Sequence, residues 1–390
     1  MHLLRLPVRD LAQAERSNYR ETCMPRPIVA KIDTRALAHN LAVAKRLAGH
    51  ARVWAVIKAN AYGHGLLRAA QAFAAADGLA MLDIEEAVQL RHAGETRPLL
   101  LLEGFFDSAD LMQCAAHQLT PVIHCTEQLA LLSTSTLQAP LDVYLKINTG
   151  MHRLGFSVDT VPEVWRALCG LKQVRHITLM THFANADGDQ APSVTAQRQQ
   201  FERATQGLQT ATGQPVMRSL ANSAALVHFP QTHADWVRPG ILLYGCSPFA
   251  FARTDQRADV LGLRPAMTLQ STLIAVQSLA KGQSVGYGGS FTAPHAMRIG
   301  IVACGYADGY PRHAPTGTPV LVHQMRTHLV GRVSMDMLAI DLTNMPNAGV
   351  AAPVTLWGAG LSADEVASHA GTIAYEMLCA LAPRVPVQVM

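Results

Sequence analysis

The feature that most constrains this chain is a series of short, continuous apolar runs separated by stretches with helical periodicity. Eight runs follow one another, at 53–58, 78–82, 98–102, 120–124, 141–147, 176–182, 216–220 and 236–244. A strand with one face in water alternates polar and apolar residues, so a run without polar positions is expected to be buried on both faces. Between the runs lie amphipathic stretches such as 66–76, 84–92, 127–132, 162–171 and 195–210, with Gly94 and Gly213 placed as helix stops. Strand and helix in alternation imply βαβ units. Eight of them in about 220 residues predict an α/β fold with a closed (β/α)8 barrel of the TIM type; an open, doubly wound sheet is the second choice.

The rhythm changes at about Arg264. Strand-like runs at 268–276, 298–304, 319–322, 337–342 and 353–357 follow without regular helices between them, and a single late helix, 363–369, is capped by Ser362. Three segments are therefore expected: an appendage at 1–26, a barrel over 27–262 opening with a short strand at 28–32, and a mostly β domain over 263–390. Met24 stands just before the first clear pattern and is a candidate start.

Composition narrows the function. With 49% hydrophobic and 15% charged residues the chain can bury a large core, which excludes disorder. The net charge of +4, from 32 Lys and Arg against 28 Asp and Glu, is too small and too dispersed to mark a nucleic-acid surface. The seven cysteines are widely spaced and form no CxxC pair, so they are expected to be reduced thiols rather than zinc or redox ligands. No stretch approaches the roughly 18 apolar residues of a membrane span, and Arg5, Arg9 and Asp10 break the apolar start that a secretory signal needs. A soluble, cytoplasmic protein is the expectation.

In such a barrel the chemistry gathers where strands end. The first run ends in Lys58, followed by Asn60, Tyr62 and His64; the fifth delivers Lys146, Asn148 and Arg153; the sixth ends in His182. After the seventh come Asn222 and Ser223, and the eighth holds Arg238, Gly240 and Ile241. A lysine held in apolar surroundings loses its proton and becomes a nucleophile and base, although a strand-end lysine can equally extend to solvent. Hydroxyls and backbone N–H groups after the seventh and eighth strands suit a phosphate. An aldehyde-reactive amine facing a phosphate cradle describes the two ends of pyridoxal 5'-phosphate. Arg238 would face the cofactor ring, where an arginine does not readily give up its proton; the alternative is an arginine paired to a rim carboxylate. His182 fits a structural role as readily as a catalytic one. NADGD at 185–189 lacks the acidic twelfth position of a calcium loop, and no metal site is expected.

Seven motifs in order extend this reading. AVIKANAYGHG at 55–65, LKINTGMHRLG, THFANAD, RPGILLYG, VGYGG, GYADGYPR and GRVSMDM resemble those of the bacterial alanine racemases, from about Ile28 to the C-terminus. The resemblance implies a pyridoxal-phosphate enzyme built as a homodimer with shared active sites. Lys58 would hold the cofactor and act as one base, and Tyr287 of the partner would act on the opposite face, because racemisation removes a proton from one side of Cα and returns it on the other. His182 and Arg238 would influence that tyrosine and the ring. It further implies phosphate contacts from Tyr62, Ser223, Gly240 and Ile241 with Asn222 nearby. Arg153 and the backbone N–H of the partner's Met335 would hold the substrate carboxylate, and Tyr306, Arg332 and Asp187 would line the approach. In many relatives the lysine matching Lys146 is carbamylated. Two departures stand out: a tyrosine frequent just before the terminal RVP is replaced here by Ala382 and Pro383, and Asn148 replaces a frequent aspartate. The competing readings are an amino-acid racemase of broader specificity, a fold-related decarboxylase, which Arg238 opposes, and a non-catalytic pyridoxal-phosphate-binding protein, which would need neither the β domain nor Tyr287.

Overall fold

The computed structural model of the protein describes residues 26–188, 191–210, 213 and 215–390. The appendage therefore lies outside the described residues except for Arg26, as does Asp189 of the NADGD segment. Each of the eight apolar runs contains a strand, β2 (Arg52–Val56), β3 (Gly78–Met81), β4 (Leu99–Leu101), β5 (Thr120–Ile123), β6 (Leu141–Asn148), β7 (Val174–Met180), β8 (Arg218–Asn222) and β9 (Trp236–Arg238), although the last run is a strand only over its first three residues and turns into a short 3-10 helix at Ile241–Tyr244. Each pairs in parallel with the next, and β9 pairs back onto β2, closing an eight-stranded barrel. The absence of polar positions is explained directly, since every residue of β3, β4 and β5 is buried.

The lower end of the barrel is plugged by aromatics. Trp54 stacks on Trp236 with ring centroids 4.4 Å apart and donates its Nε1–H to the Tyr144 hydroxyl at 2.8 Å. Gly78 makes room for this: a Cβ there would come within 2.2 Å of the Trp54 ring. The upper end is left for the loops. The helix predicted over 195–210 runs instead over Ala191–Thr205, and Gly207, at φ +76°, takes the left-handed position beyond its end that Gly213 was expected to fill.

The C-terminal domain is built on one long strand, β10 (Met267–Leu279), which pairs antiparallel with β11 (Met297–Val302) along its second half. Strands β12 (Pro319–Val322), β13 (Met325–His328), β14 (Leu338–Asp341) and β15 (Pro353–Trp357) complete most of the remaining sheet. The strand at the start of the chain, β1 (Val29–Ile32), does not enter the barrel with which the sequence groups it. It pairs antiparallel with β10 and parallel with the last strand, β16 (Val387–Val389), so both ends of the described chain meet in the C-terminal sheet. Its alternating half-buried pattern suits that position and not a barrel wall. Among the described residues no helix is long and apolar enough to cross a membrane.

Candidate functional site

The upper mouth of the barrel encloses a cavity of about 610 Å³. Lys58, Tyr62, Lys146, Arg153, His182, Asp187, Asn222, Ser223, Arg238, Gly240 and Ile241 all line it, so eleven residues singled out from the sequence share one space. They arrive from five strand ends. Tertiary closure alone brings Lys58, near the start of the barrel, beside Arg238, near its end.

Lys58 opens a turn whose hand the sequence does not announce. Ala59, Asn60, Ala61 and Tyr62 have φ of 54°, 51°, 54° and 50°, one turn of left-handed helix without a single glycine. Each such residue costs about 1–2 kcal/mol relative to the right-handed form, so neighbours must hold it. His64 does this from inside: its Nδ1 lies 2.9 Å from the Tyr62 carbonyl and 3.1 Å from that of Ala61, and both oxygens accept, so Nδ1 carries the hydrogen. Burial lowers the His64 pKa to about 4, which keeps the ring neutral in this tautomer. The Asn60 side-chain oxygen accepts from Leu66 N–H at 2.9 Å and secures the exit. The outcome is a fixed stretch of backbone from which both Lys58 and Tyr62 line the cavity.

The depth of the cavity is cationic. Burial first, and Arg153 second, lower the pKa of Lys58; burial, then Arg238 and Arg153, bring that of Lys146 to about 8. Glu103 opposes both shifts. Arg238 is buried, and burial lowers its pKa to about 10. Among the described residues it has no carboxylate partner: its guanidinium donates to Ser219 Oγ at 2.7 Å and to the carbonyls of Thr181 at 2.6 Å and Leu220 at 3.2 Å. The ion-paired alternative for this residue is thereby set aside. His182 Nδ1 lies 3.4 Å from Arg238 Nη2, which can only donate, so Nδ1 is the acceptor; burial and this neighbour hold the ring well below its ordinary pKa. Arg153 makes no hydrogen bond to any described residue and opens on the cavity. Asn148, standing where an aspartate is frequent, spends its oxygen on the N–H groups of Gly150 at 3.1 Å and His152 at 3.0 Å. It shapes the turn that carries Arg153.

The same cavity holds a small polar cradle. Gly240 N–H donates to Ser223 Oγ at 2.8 Å, and a Cβ on Gly240 would approach the Tyr62 hydroxyl to 2.6 Å, so only glycine lets these groups share the space. Asn222 supports the cradle from below by accepting from Ala225 N–H at 3.0 Å, which caps the helix Ser223–His228.

Tyr287, Tyr306, Arg332 and Met335 do not line this cavity. They are exposed on loops of the C-terminal domain, Tyr287 at 74%. Conversely, Glu103, Tyr375, Glu376 and Cys379 line the cavity without having been singled out. Glu103 follows β4, and the strand-end rule that found Lys58 would have found it. Tyr375, Glu376 and Cys379 lie on the helix Ala374–Cys379, which reaches over from the C-terminal domain. No barrel rule points to them. The Tyr375 ring sits 6.1 Å from that of Tyr62, so an aromatic hydroxyl group still stands on this side of the site although Pro383 replaces the expected tyrosine.

The cavity and the two domains around it match known proteins throughout. A family model for the alanine racemase N-terminal domain covers residues 32–248, and one for the alanine racemase C-terminal domain covers 266–389. A protein named alanine racemase from Nitrosospira multiformis is 55% identical, the match covering 93% of this chain and 99% of the relative. One from Salmonella typhimurium, named as the catabolic alanine racemase, is 52% identical, with 93% and 99% covered. The crystal structure of the biosynthetic alanine racemase from Pseudomonas aeruginosa superposes with a TM-score of 0.89 at 46% identity, covering 94% of this chain and 99% of the other. A barrel with a left-handed turn at its lysine, a cationic mouth and an appended β domain, matched along nearly its whole length, places this chain in the alanine racemase family.

Proposed function

We propose that the protein is a pyridoxal-phosphate-dependent alanine racemase, acting in the cytoplasm as a homodimer whose sites are completed by a second copy. The observation that carries this reading is that one cavity holds both a lysine whose pKa burial lowers and the Gly240, Ser223 and Tyr62 cradle. The residues fit the cofactor's two ends: Lys58 suits the aldehyde, while Tyr62, Ser223 and the backbone of Gly240 and Ile241, with Asn222 nearby, suit the phosphate. When bound, pyridoxal phosphate would supply the electron withdrawal that makes the Cα–H bond of an amino acid acidic.

The chain's own groups would do the rest. Lys58, its proton loosened by burial, removes or returns the Cα proton on its face. Tyr287 of a second copy serves the other face, so that the proton taken from one side is replaced from the other. Its exposure on its own chain, away from its own cavity, supports that assignment. Arg153, with no hydrogen-bond partner among the described residues, binds the substrate carboxylate together with the backbone N–H of Met335 from the second copy. Tyr306 and Arg332 of that copy, with Asp187, border the approach. Arg238 remains charged near neutral pH and only donates hydrogen bonds, so it does not protonate a neighbouring base. Burial first, and Arg238 second, hold the His182 pKa well below its ordinary value. With a pKa near 8, Lys146 has a neutral fraction able to add CO2, releasing one proton and leaving a carbamate beside Arg153. The product would serve peptidoglycan synthesis or alanine breakdown; similar relatives are named for each direction.

The purified protein with pyridoxal phosphate is incubated with L-alanine in deuterated water and the product resolved on a chiral column. D-alanine carrying deuterium at Cα is expected. Cofactor binding without deuterium incorporation into alanine would refute the reading and favour the binding-protein alternative, and comparable rates on serine, lysine and arginine would replace it with broad specificity.

A further inference from the structure

A fully buried carboxylate outside the cavity joins both ends of the described chain to two exposed loops. Asp308 Oδ1 accepts from Arg26 Nη1 at 2.8 Å and from Arg384 Nε at 2.7 Å, and Oδ2 accepts from Gly305 N–H at 3.0 Å. The same two arginines continue to the next loop: Arg384 Nη2 donates to Asp336 Oδ1 at 2.6 Å, and Arg26 Nη2 to the Asp336 carbonyl at 2.7 Å. Among the described residues, all the hydrogen bonds of both guanidiniums go into this network. Sheet register explains how residues so far apart in sequence converge, because Ala30 in β1 is paired with Val387 in β16 and the arginines lie four and three residues before them.

The two loops are locked together by backbone contacts. Tyr306 N–H donates to the Ser334 carbonyl at 3.1 Å and Ala307 N–H to that of Met335 at 3.0 Å. A Cβ on Gly305 would lie 2.2 Å from the Met335 oxygen, so the loops touch through bare backbone. The Met335 N–H itself donates to no described residue. A buried carboxylate left without any cationic partner is strongly unfavourable, and two charge-assisted contacts arranged around it fix direction as well as distance.

We infer that Arg26 and Arg384 are positioning residues: through Asp308 and Asp336 they hold the loops 305–309 and 334–337 so that Tyr306 and the free Met335 N–H are presented to an incoming carboxylate at a fixed place. The kinetic part of this inference rests on the proposed racemase reading; the mechanical part does not.

The test uses the full chain loaded with pyridoxal phosphate and the variants Arg26→Gln, Arg384→Gln and Arg384→Lys. Each leaves one arginine on Asp308, so the fold is retained, which the thermal midpoint verifies. Hydrogen exchange at the Tyr306 and Ala307 amides is expected to accelerate about tenfold in the glutamine variants while barrel amides stay unchanged. KM for alanine is expected to rise about fivefold or more with a smaller change in kcat and an unaltered cofactor spectrum, and Arg384→Lys to recover part of the loss. Wild-type exchange at those two amides in both glutamine variants would overturn the inference, as would faster exchange with an unchanged KM. A wild-type chain that binds cofactor without racemising alanine would remove the proposed function and with it the kinetic part, while the exchange rates would still decide whether the arginines hold the loops.

Discussion

Lys58, Lys146 and Arg238 show how one physical cause, removal of water from cations that have few anions to answer them, prepares a site at the level of single residues. The described carboxylates on the cavity wall are Glu103, which couples to both lysines, and the exposed Asp187 and Glu376, so an anionic guest meets a surplus of positive charge. Strand-end position made these residues legible in the sequence, because the barrel sends those ends to one mouth. Gly240 is the most exacting of the neutral groups. Gly240→Ala places a methyl group 2.6 Å from the Tyr62 hydroxyl, and overpacking of this kind costs roughly 1–3 kcal/mol. Affinity for pyridoxal phosphate is expected to fall about five- to hundredfold, because the Tyr62 hydroxyl must leave the cradle to admit the methyl group, and the thermal midpoint of the cofactor-free protein is expected to fall by a few degrees. Titration of the cofactor absorbance checks this, and an unchanged affinity would remove Gly240 from the cradle.

At the scale of elements, the left-handed turn after β2 is the piece that sequence patterns do not reach. KANAY has ordinary helical propensity and no glycine, and only its surroundings impose the mirror-image hand. Gly63 then permits the closest approach in the region: a Cβ there would stand 2.3 Å from the Leu378 carbonyl, on the helix that carries Tyr375 and Cys379. Gly63→Ala should therefore destabilise the protein by at least about 2 kcal/mol, combining left-handed strain with a backbone clash. Gly94→Ala, also at positive φ but with open space around it, should cost only about 1 kcal/mol. Denaturant midpoints for the two variants compare these terms, and equal losses would show that the contact with Leu378 is not rigid. By contrast, Ser362 was readable as a cap because a helix start is local chemistry: its hydroxyl accepts from Glu365 N–H at 3.1 Å.

On the scale of the whole molecule, the two domains are not consecutive beads. Strand β1 crosses to the C-terminal sheet before the barrel begins, and the helix Ala374–Cys379 returns to the barrel mouth after the β domain is built. The cavity on one chain holds Lys58, whereas Tyr287 stands exposed elsewhere on it. If a second copy completes each site, Lys58→Ala and Tyr287→Phe should each be inactive alone. Mixed under conditions that exchange subunits, they should recover about a quarter of wild-type activity, since half of the pairs are mixed and each mixed pair has one intact site. No recovery on mixing, with exchange demonstrated by mass, would place both groups within one chain.

The barrel, the β domain that follows it, and most of the cationic cavity are legible in the order of residues alone, because continuous apolar runs and the polar residues that end them are local signals with a fixed meaning in a parallel barrel. Tertiary structure decided what no local signal encodes. It gave the residues after Lys58 a left-handed turn, through His64 and the packed helix at Leu378. It moved β1 into the distant sheet, where a half-buried edge suits its alternation. It also brought Arg26 and Arg384 onto Asp308, since only sheet register, acting across nearly the whole chain, can set residues so far apart in sequence side by side.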